Sequence, residues 1–474
     1  MKMVAELVEK VLAGEMDFPL LEKTTWQESL KVGRETLQII LEALDDALLK
    51  NRPPGLKVLG KKRRRILTLM GEITFSRRYY RDREGRNRFL LDELLGIEAR
   101  SPLSPQVEEA AAMLSAYLPY RVACEAMSFF SPDTPTHTTF MNRVRELGER
   151  YSREQREGAE ALFSWGEPPA TEGRKAEILF CELDGTPFNL QREERRKGEL
   201  KLAITHEGWE ERGDGEYALK EKRIHMGVAS SHDFARTHIY DLATRWDLGG
   251  VARFVVGGDG APLAKEAADL APRSLFQLDR FHLKRALLRA LAPQSGLASE
   301  VYELATCGRQ EEALEVLERE REGSEPKRQL AIGRLISYLR SNQEGLVDWR
   351  ERLPGMGGEA RGMGAIEGNI DKRVANRFKK RGMRFTERGA HSLAKVIELK
   401  HNGMLASRIR ERGDEKGARR KRDGVLRASS LIRERLVQDP EHWLQVHMPA
   451  LYGPDSDEPW VKVLRGISQF SKAV

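Results

Sequence analysis

Three acids in this 474-residue chain stand where chemistry is easiest to place. Asp184 follows the apolar run in ILFCELDGT, Asp259 follows the one in RFVVGGDGA, and Glu367 opens AIEGNIDKRVANRFKKRG. The first two runs read as buried strands, each ending in an aspartate. The glycine after each aspartate lets the backbone turn sharply and leaves room for a large substrate. Two carboxylates a few ångströms apart are costly unless a cation lies between them. Hard, oxygen-seeking Mg²⁺ is the expected ion, with Mn²⁺ as a substitute, because no cysteine or histidine pair offers a softer site. Two ions per site, roughly 3.5–4 Å apart, would stabilise the attacking and leaving oxygens of an in-line phosphoryl displacement. Asp184, Asp259 and Glu367 are therefore the expected catalytic groups and metal ligands, and the expected substrate is a phosphodiester. One Asp-Gly after a strand is usually only a turn, and one glutamate at a helix start is usually a cap. The expectation rests on the three together, in order.

Around them lie auxiliary candidates. Lys372, Arg373, Arg377, Lys379, Lys380 and Arg381 follow Glu367 on the same expected helix and could hold a phosphate backbone beside the ions. In LDRFH, Asp279 and His282 are three residues apart just after another apolar run. His282 either positions a phosphate or a hydrolytic water, or is a helix-start histidine hydrogen-bonded to Asp279. Glu199 and Lys201, alternating with apolar residues, read as solvated strand charges.

The elements that must position these residues can be followed along the chain. AEILFCELD, ELKLAITH and EKRIHMGVA read as three successive strands, followed by the helix HDFARTHIYDLATRWDL. The strand ARFVVGGD, the short helix APLAKEAADLA, the strand SLFQLD and the helix RFHLKRALLRAL complete the series. Three strands, helix, strand, helix, strand is the chain order of an RNase H-like fold, an α/β core with a mixed five-stranded sheet flanked by helices. In that fold the strands ending at Asp184 and Asp259 are neighbours. The core is expected over 173–285 and again over 359–395, around an all-helical, charge-rich insertion at 286–358.

Upstream, residues 1–60 read as a helical region with two amphipathic helices, closed by Pro53-Pro54. Residues 61–100 read as a small arginine-rich β-meander. Residues 101–165 give two or three short helices, the outline of a helix-turn-helix whose last helix could enter a DNA groove. WGEPPATEGRK (165–175) reads as a linker. The last region, 396–474, carries a basic run near 408–422. Lys plus Arg exceed Asp plus Glu by 80 to 73, so the placement of charge matters more than its sum. Cys124, Cys181 and Cys307 are too scattered for a disulfide framework or a thiolate zinc site. Neither a secretory signal nor a membrane-spanning run is legible, so a cytoplasmic protein near the nucleoid is expected.

Taken with their flanks, these segments resemble the bacterial insertion-sequence transposases of the DDE class, in the mutator-like group close to the ISLre lineage. The resemblance runs from GEITFSRRYYRDREGRNRFLLDELLGI to NRFKKRGMRF and is most specific at ELDGTPFNLQ, ELKLAITHEGW, GGDGAPL, LDRFHLKR and EGNIDKRVANRFKKRGM. It implies a catalytic triad of Asp184, Asp259 and Glu367, an Asp-x-x-His signature on Asp279 and His282, and a helical insertion before the glutamate. It also implies that the mostly helical N-terminal region binds the inverted-repeat ends of an element. The expected partners are double-stranded DNA and a second copy of the chain, as a homodimer or higher oligomer. Two competing functions share parts of this pattern: a structure-specific nuclease of the same fold, and a DNA-binding regulator that does no chemistry.

Overall fold

The computed structural model describes residues 2–98, 101–355 and 361–411, except for the side chains of Lys2, Met3, Arg373 and Arg381. The described chain forms two compact units, one up to Pro105 and one spanning Gln106–Ile409.

In the first unit, α1 (Lys2–Leu12) and α2 (Phe18–Lys50) precede a meander of β1 (Lys57–Thr68), β2 (Gly71–Arg81) and β3 (Asn87–Arg88), followed by α3 (Leu90–Leu95). Asp17 caps α2 by accepting the Leu20 N–H at 3.0 Å. Leu41 and Leu48 of α2 join Ile66, Ile73, Phe75, Tyr80, Leu90 and Leu91 in one small core. Asp92 is buried and bridges Arg64 (3.1 Å) and Arg77 (2.7 Å) across the hairpin. Lys61, Lys62, Arg63 and Arg65 of β1 stay exposed.

The second unit opens with α4 (Pro105–Tyr117), α5 (Tyr120–Ser128) and α6 (His137–Trp165). The last of these is one helix of 29 residues. Thr136 caps it, and the left-handed Gly166 ends it. Its buried face carries Val144, Leu147 and Tyr151 into the core of the unit.

At the centre lies a sheet built from β4 (Ile178–Leu190), β5 (Lys197–His206), β8 (Arg223–Gly227), β9 (Arg253–Gly258) and β10 (Ser274–Leu278). Its order is β10-β9-β4-β5-β8, with the two-residue β11 (Arg384–Phe385) added beside the far end of β4. The strand β5 runs antiparallel to both β4 and β8, while β9 and β10 run parallel to β4. Between β5 and β8 sits a separate hairpin of β6 (Trp209–Gly213) and β7 (Glu216–Leu219). Its two-residue loop, Asp214-Gly215, has positive φ at both positions, as a type I′ turn requires.

Side-chain alternation on β4 separates the two faces. Leu179, Cys181 and Leu183 meet α7 (Ser231–Arg245), α8 (Pro262–Leu270) and α9 (Arg280–Leu291). On the other face, Ile178 and Phe180 pack with Val255 and with Trp349 of the short α13 (Trp349–Arg352). Further along that face, Phe188 and Leu190 meet α6 and α15 (Glu387–His401). Gly148 marks the crossing of α6 and α15, where a Cβ would lie 2.1 Å from the Ser392 carbonyl oxygen.

The helical insertion comprises α10 (Ser295–Thr306), α11 (Gln310–Glu322) and α12 (Pro326–Ser341). Val301, Leu314, Leu317, Ile332, Leu335 and Leu339 make its core continuous with the α9 side of the sheet. The chain returns through a single turn at Gln343–Gly345, packed so tightly on β10 that a Cβ on Gly345 would lie 2.7 Å from the Leu278 nitrogen. Gln277 fixes this return, donating to the Gly345 carbonyl (2.9 Å) and accepting from the Trp349 N–H (2.7 Å). Among the described residues, no helix is long and apolar enough to cross a membrane.

Candidate active site

The three parallel strands deliver their acids to one place. Asp184 does not end its strand, as the Asp-Gly sequence implies; β4 continues to Leu190. What ends near it is the neighbour: β9 stays paired with β4 only as far as Glu182↔Gly257. Asp259 follows the last residue of β9, and Asp279 follows the last residue of β10. Alternation puts Asp184, Asp259 and Asp279 on the same side of the sheet, opposite the α7–α9 core. Ligands of open α/β sheets commonly sit beyond such carboxyl ends.

Asp184 is mostly withdrawn from solvent, and its pKa rises to about 6. Burial is the main cause, with the charges of Asp259 and Asp279 adding to it. The Gly185 N–H, donating at 2.7 Å, and the nearby His282 ring act in the opposite direction. Asp259 accepts the Ala261 N–H at 2.9 Å, and its own carbonyl accepts the Tyr338 hydroxyl from α12 at 2.9 Å. The left-handed Gly260 between them has φ +88°, and a Cβ there would meet the Asn342 side chain at 2.6 Å.

Asp279 is the N-cap of α9, accepting from the Phe281 N–H (2.7 Å) and the His282 N–H (3.2 Å). The His282 Nδ1 lies 3.5 Å from its other oxygen, a long contact held mainly by charge. The histidine pKa is raised by Asp279, with Asp184 adding to it, and that of Asp279 is lowered despite partial burial. Capping thus accounts for Asp279, while the charge of the His282 ring also acts on Asp184.

Glu367 lies on α14 (Ala365–Asn369), a helix of five residues that widens into a π-type turn series over Ile370–Lys379. Its side chain is exposed. Asp184, Asp259 and Glu367 are not drawn within 4.8 Å of one another. The helix is nevertheless fastened to the site strand. Glu182, buried two residues before Asp184 and on the same face, accepts the Gly364 N–H (3.0 Å) and the Ile366 N–H (3.1 Å) with one oxygen. Sequence reading missed Glu182, although an acid inside the apolar run ILFCEL is an available signal. Beside it is a cleft of about 90 Å³ whose lining includes Gly257, Gln277, Asp279, Arg280, Trp349 and Met363.

The expected basic row after Glu367 divides. Lys372, Lys379 and Lys380 are exposed, and Lys380 lies 3.4 Å from Asp371. Arg377 is buried instead: its Nε donates to the Ser115 carbonyl at 2.9 Å, and its guanidinium lies near the Tyr120 and Phe385 rings. The reason is periodicity, since Val374, Arg377 and Phe378 share the inward face of the turn series. The side chains of Arg373 and Arg381 lie outside the described residues, as does the basic run beyond residue 411. Lys201 is likewise no solvated strand charge. It is buried, donating to Glu199 and to the Ala229 carbonyl, each at 2.8 Å.

A second group of potential ligands, His225, Asp241 and Glu398, is fully buried between β8, α7 and α15. Its charges already have partners. Arg223 grips Asp241 through two contacts of 2.8 Å, and Glu398 accepts from Lys395 (2.8 Å), Gln155 (2.7 Å) and the Met226 N–H (2.8 Å). Two cations balance two carboxylates, so a divalent ion would leave uncompensated buried charge. This group is a charge-balanced structural network, in which the His225 Nδ1 lies 3.3 Å from a Glu398 oxygen. Among the described residues, the negative charges of the Asp184 group are paired with no lysine or arginine, so this group could hold a hard cation.

An α/β chain with a mixed sheet and carboxylates on one side of its parallel strands is thereby defined. The chain belongs to the family described as Uncharacterised protein family (UPF0236), whose pattern it matches over residues 12–415. A UPF0236 protein of Caldanaerobacter subterraneus subsp. tengcongensis is 25% identical over 379 residues, covering 79% of this chain and 75% of its own. Its name spans eleven loci of that genome, a multiplicity typical of mobile elements. A UPF0236 protein in the vanSb 3′ region of Streptococcus gallolyticus is 25% identical over 411 residues, 84% of this chain and 86% of its own.

Proposed function

We propose that the chain is a DNA transposase that hydrolyses phosphodiesters at the inverted-repeat ends of an insertion sequence and joins the freed ends to target DNA. The observation that carries this reading is the shared face of Asp184 and Asp259 where β9 ends, with Asp184 held in a destabilised ionised form. The strand order β10-β9-β4-β5-β8 supports an RNase H-like core, and the many-locus relative supports a mobile element.

In this reading Asp184 and Asp259 hold divalent cations, Mg²⁺ or Mn²⁺, with Glu367 approaching from α14. The ions would polarise the scissile phosphate and stabilise charge on the attacking and leaving oxygens. Around them the protein supplies placement. Asp279 fixes the first turn of α9, and that turn holds the His282 ring toward Asp184, within reach of a phosphate oxygen. The glycines after Asp184 and Asp259 make room for neighbouring protein side chains, since a Cβ would lie 2.4 Å from Glu199 and 2.6 Å from Asn342 respectively. Lys372, Lys379 and Lys380 offer charge along its backbone. Synapsis of two element ends calls for at least two copies of the chain.

The test is cleavage of labelled DNA spanning both flanks of the gene, in Mg²⁺ or Mn²⁺, with wild type, Asp184→Ala and Glu367→Ala. Metal-dependent nicks at two symmetric ends, lost in both variants, are expected. Cutting without regard to the ends would replace this reading with a nuclease. Tight binding of the ends with no cleavage in either metal would replace it with a regulator.

A further inference from the structure

We infer that Glu182 is the positioning residue that sets Glu367 against Asp184. The inference rests on the proposed role of Glu367 as the third acid.

The first turn of α14, like that of any helix, leaves N–H groups without intrahelical partners, and α14 runs on without a break into the turn series over Ile370–Lys379, so an anchor at that turn orients the whole segment. The usual remedy is a side-chain acceptor at the N-cap. Here the N-cap is Gly364, which has no side chain and sits at φ +149°. Glu182 supplies the acceptor from outside the helix. One of its oxygens takes both the Gly364 and Ile366 N–H groups, and its negative charge faces the positive end of the helix. The carboxylate is only 2% exposed, so these bonds are shielded from competing water.

The tether has short arms. Ile366 adjoins Glu367 in sequence, and Glu182 lies two residues before Asp184 on a strand paired on both sides. The long chain path from Asp279 through the insertion to Glu367 is thus bypassed by one carboxylate. A second contact points the same way: Met363 packs over Gly257, where a Cβ would lie 2.7 Å from the Met363 methyl. The other Glu182 oxygen lies 3.8 Å from His206 Nε2 and has no hydrogen-bond partner among the described residues, none of whose lysines or arginines takes either oxygen.

Glu182→Gln keeps the shape and an acceptor oxygen but removes the charge, so each of its two N–H bonds should fall to roughly half its strength. Mn²⁺ affinity of the full chain is measured by the electron paramagnetic resonance of the free ion, for wild type, Glu182→Gln, Glu367→Gln and the double variant. Glu182→Gln is expected to weaken Mn²⁺ binding about tenfold, as changes to outer partners of metal ligands do. The double variant should bind no worse than Glu367→Gln alone, because a residue acting through Glu367 has nothing left to position. Losses that multiply in the double variant would overturn the inference and make Glu182 an independent contributor. Hydrogen exchange without metal gives a readout separate from ion binding. The Gly364 and Ile366 amides should exchange slowly in wild type and faster in Glu182→Gln, and unprotected amides in wild type would also overturn it. If wild type and Glu367→Gln bind Mn²⁺ equally while the amides are protected, the tether stands, but the assignment of Glu367 fails and the positioning role fails with it.

Discussion

Asp184→Asn should make the unit spanning Gln106–Ile409 more stable at alkaline pH while removing its proposed chemistry. The carboxyl titrates near 6 rather than at its ordinary 3.8. A folded pKa above the unfolded one means that protonation favours the fold. The associated stability is complete below pH 3.8 and is lost as pH rises through 6. Above that, a carboxyl moved from 3.8 to about 6 costs about 3 kcal/mol when ionised, and about 2 once partial exposure is allowed for. At pH 5 the cost is roughly half as large, because the folded carboxyl is mostly neutral there. Asparagine keeps the shape and the acceptor for the Gly185 N–H without the charge. The variant should therefore melt roughly 5 °C higher at pH 8, with a smaller gain at pH 5. Scanning calorimetry at both values reads the difference. Mn²⁺ at a hundred times its dissociation constant should stabilise wild type by about 2.7 kcal/mol at pH 8 and leave the variant unmoved. An equal gain at both pH values would show a packing effect, and no gain at pH 8 would refute the account of the site as an unpaired carboxylate group.

Other expectations are simpler to state. Gly148→Ala should destabilise the same unit by about 2 kcal/mol or more, read by urea titration, because its Cβ would overlap the Ser392 carbonyl and force α6 off α15. Burial lowers the pKa of His238 to about 3 and of His391 to about 4, and lowers that of His225 as well. Folded pKa values below the unfolded 6.5 confer stability that is full above pH 6.5 and lost as pH falls toward 4. Asp184 opposes this below pH 6, so the net slope should be about 1–3 kcal/mol per pH unit, measured by denaturation between pH 6.5 and 4.5. Asp92→Ala should cost the N-terminal unit about 3 kcal/mol, seen as a lower melting temperature of residues 1–105, since it strands Arg64 and Arg77 in a buried setting.

The alternation of strands and helices through residues 178–291 was legible because buried strands and amphipathic helices have different periods, and the sheet follows the expected chain order. Asp184 and Asp259 could be placed on neighbouring strands because the apolar runs before them read as strands of an RNase H-like order, whereas Asp279 was read apart from them and Asp184 lies within β4 rather than at its end. Four features escaped for identifiable reasons. The hairpin at Trp209–Leu219 lacks apolar alternation, though its Asp-Gly loop was readable. The burial of Arg377 and Lys201 depends on carbonyls and rings far along the chain, which no local window contains. Glu182 looked like noise in an apolar run because its partners, Gly364 and Ile366, arrive more than 180 residues later. The length of α6 was hidden by its charged surface, and only contact with α15 shows why 29 residues stay helical.

The helical insertion leaves from α9 and rejoins at Gln343–Gly345, both ends fixed to the neighbourhood of β10, with Tyr338 pinned to the Asp259 carbonyl. The stretch between, α10 and α11, carries none of the hydrogen bonds that hold Asp184, Asp259 and Asp279 in place. Closing a longer loop costs little, about 0.6 kcal/mol per doubling of length. Evolution can therefore treat the exposed turns at Gly308 and Gly323 as sockets, enlarging them to gain new surface for other macromolecules while the buried faces of α10 and α11 and the reaction centre keep their dimensions. The same property offers an engineer a place to insert a foreign domain without retuning the chemistry.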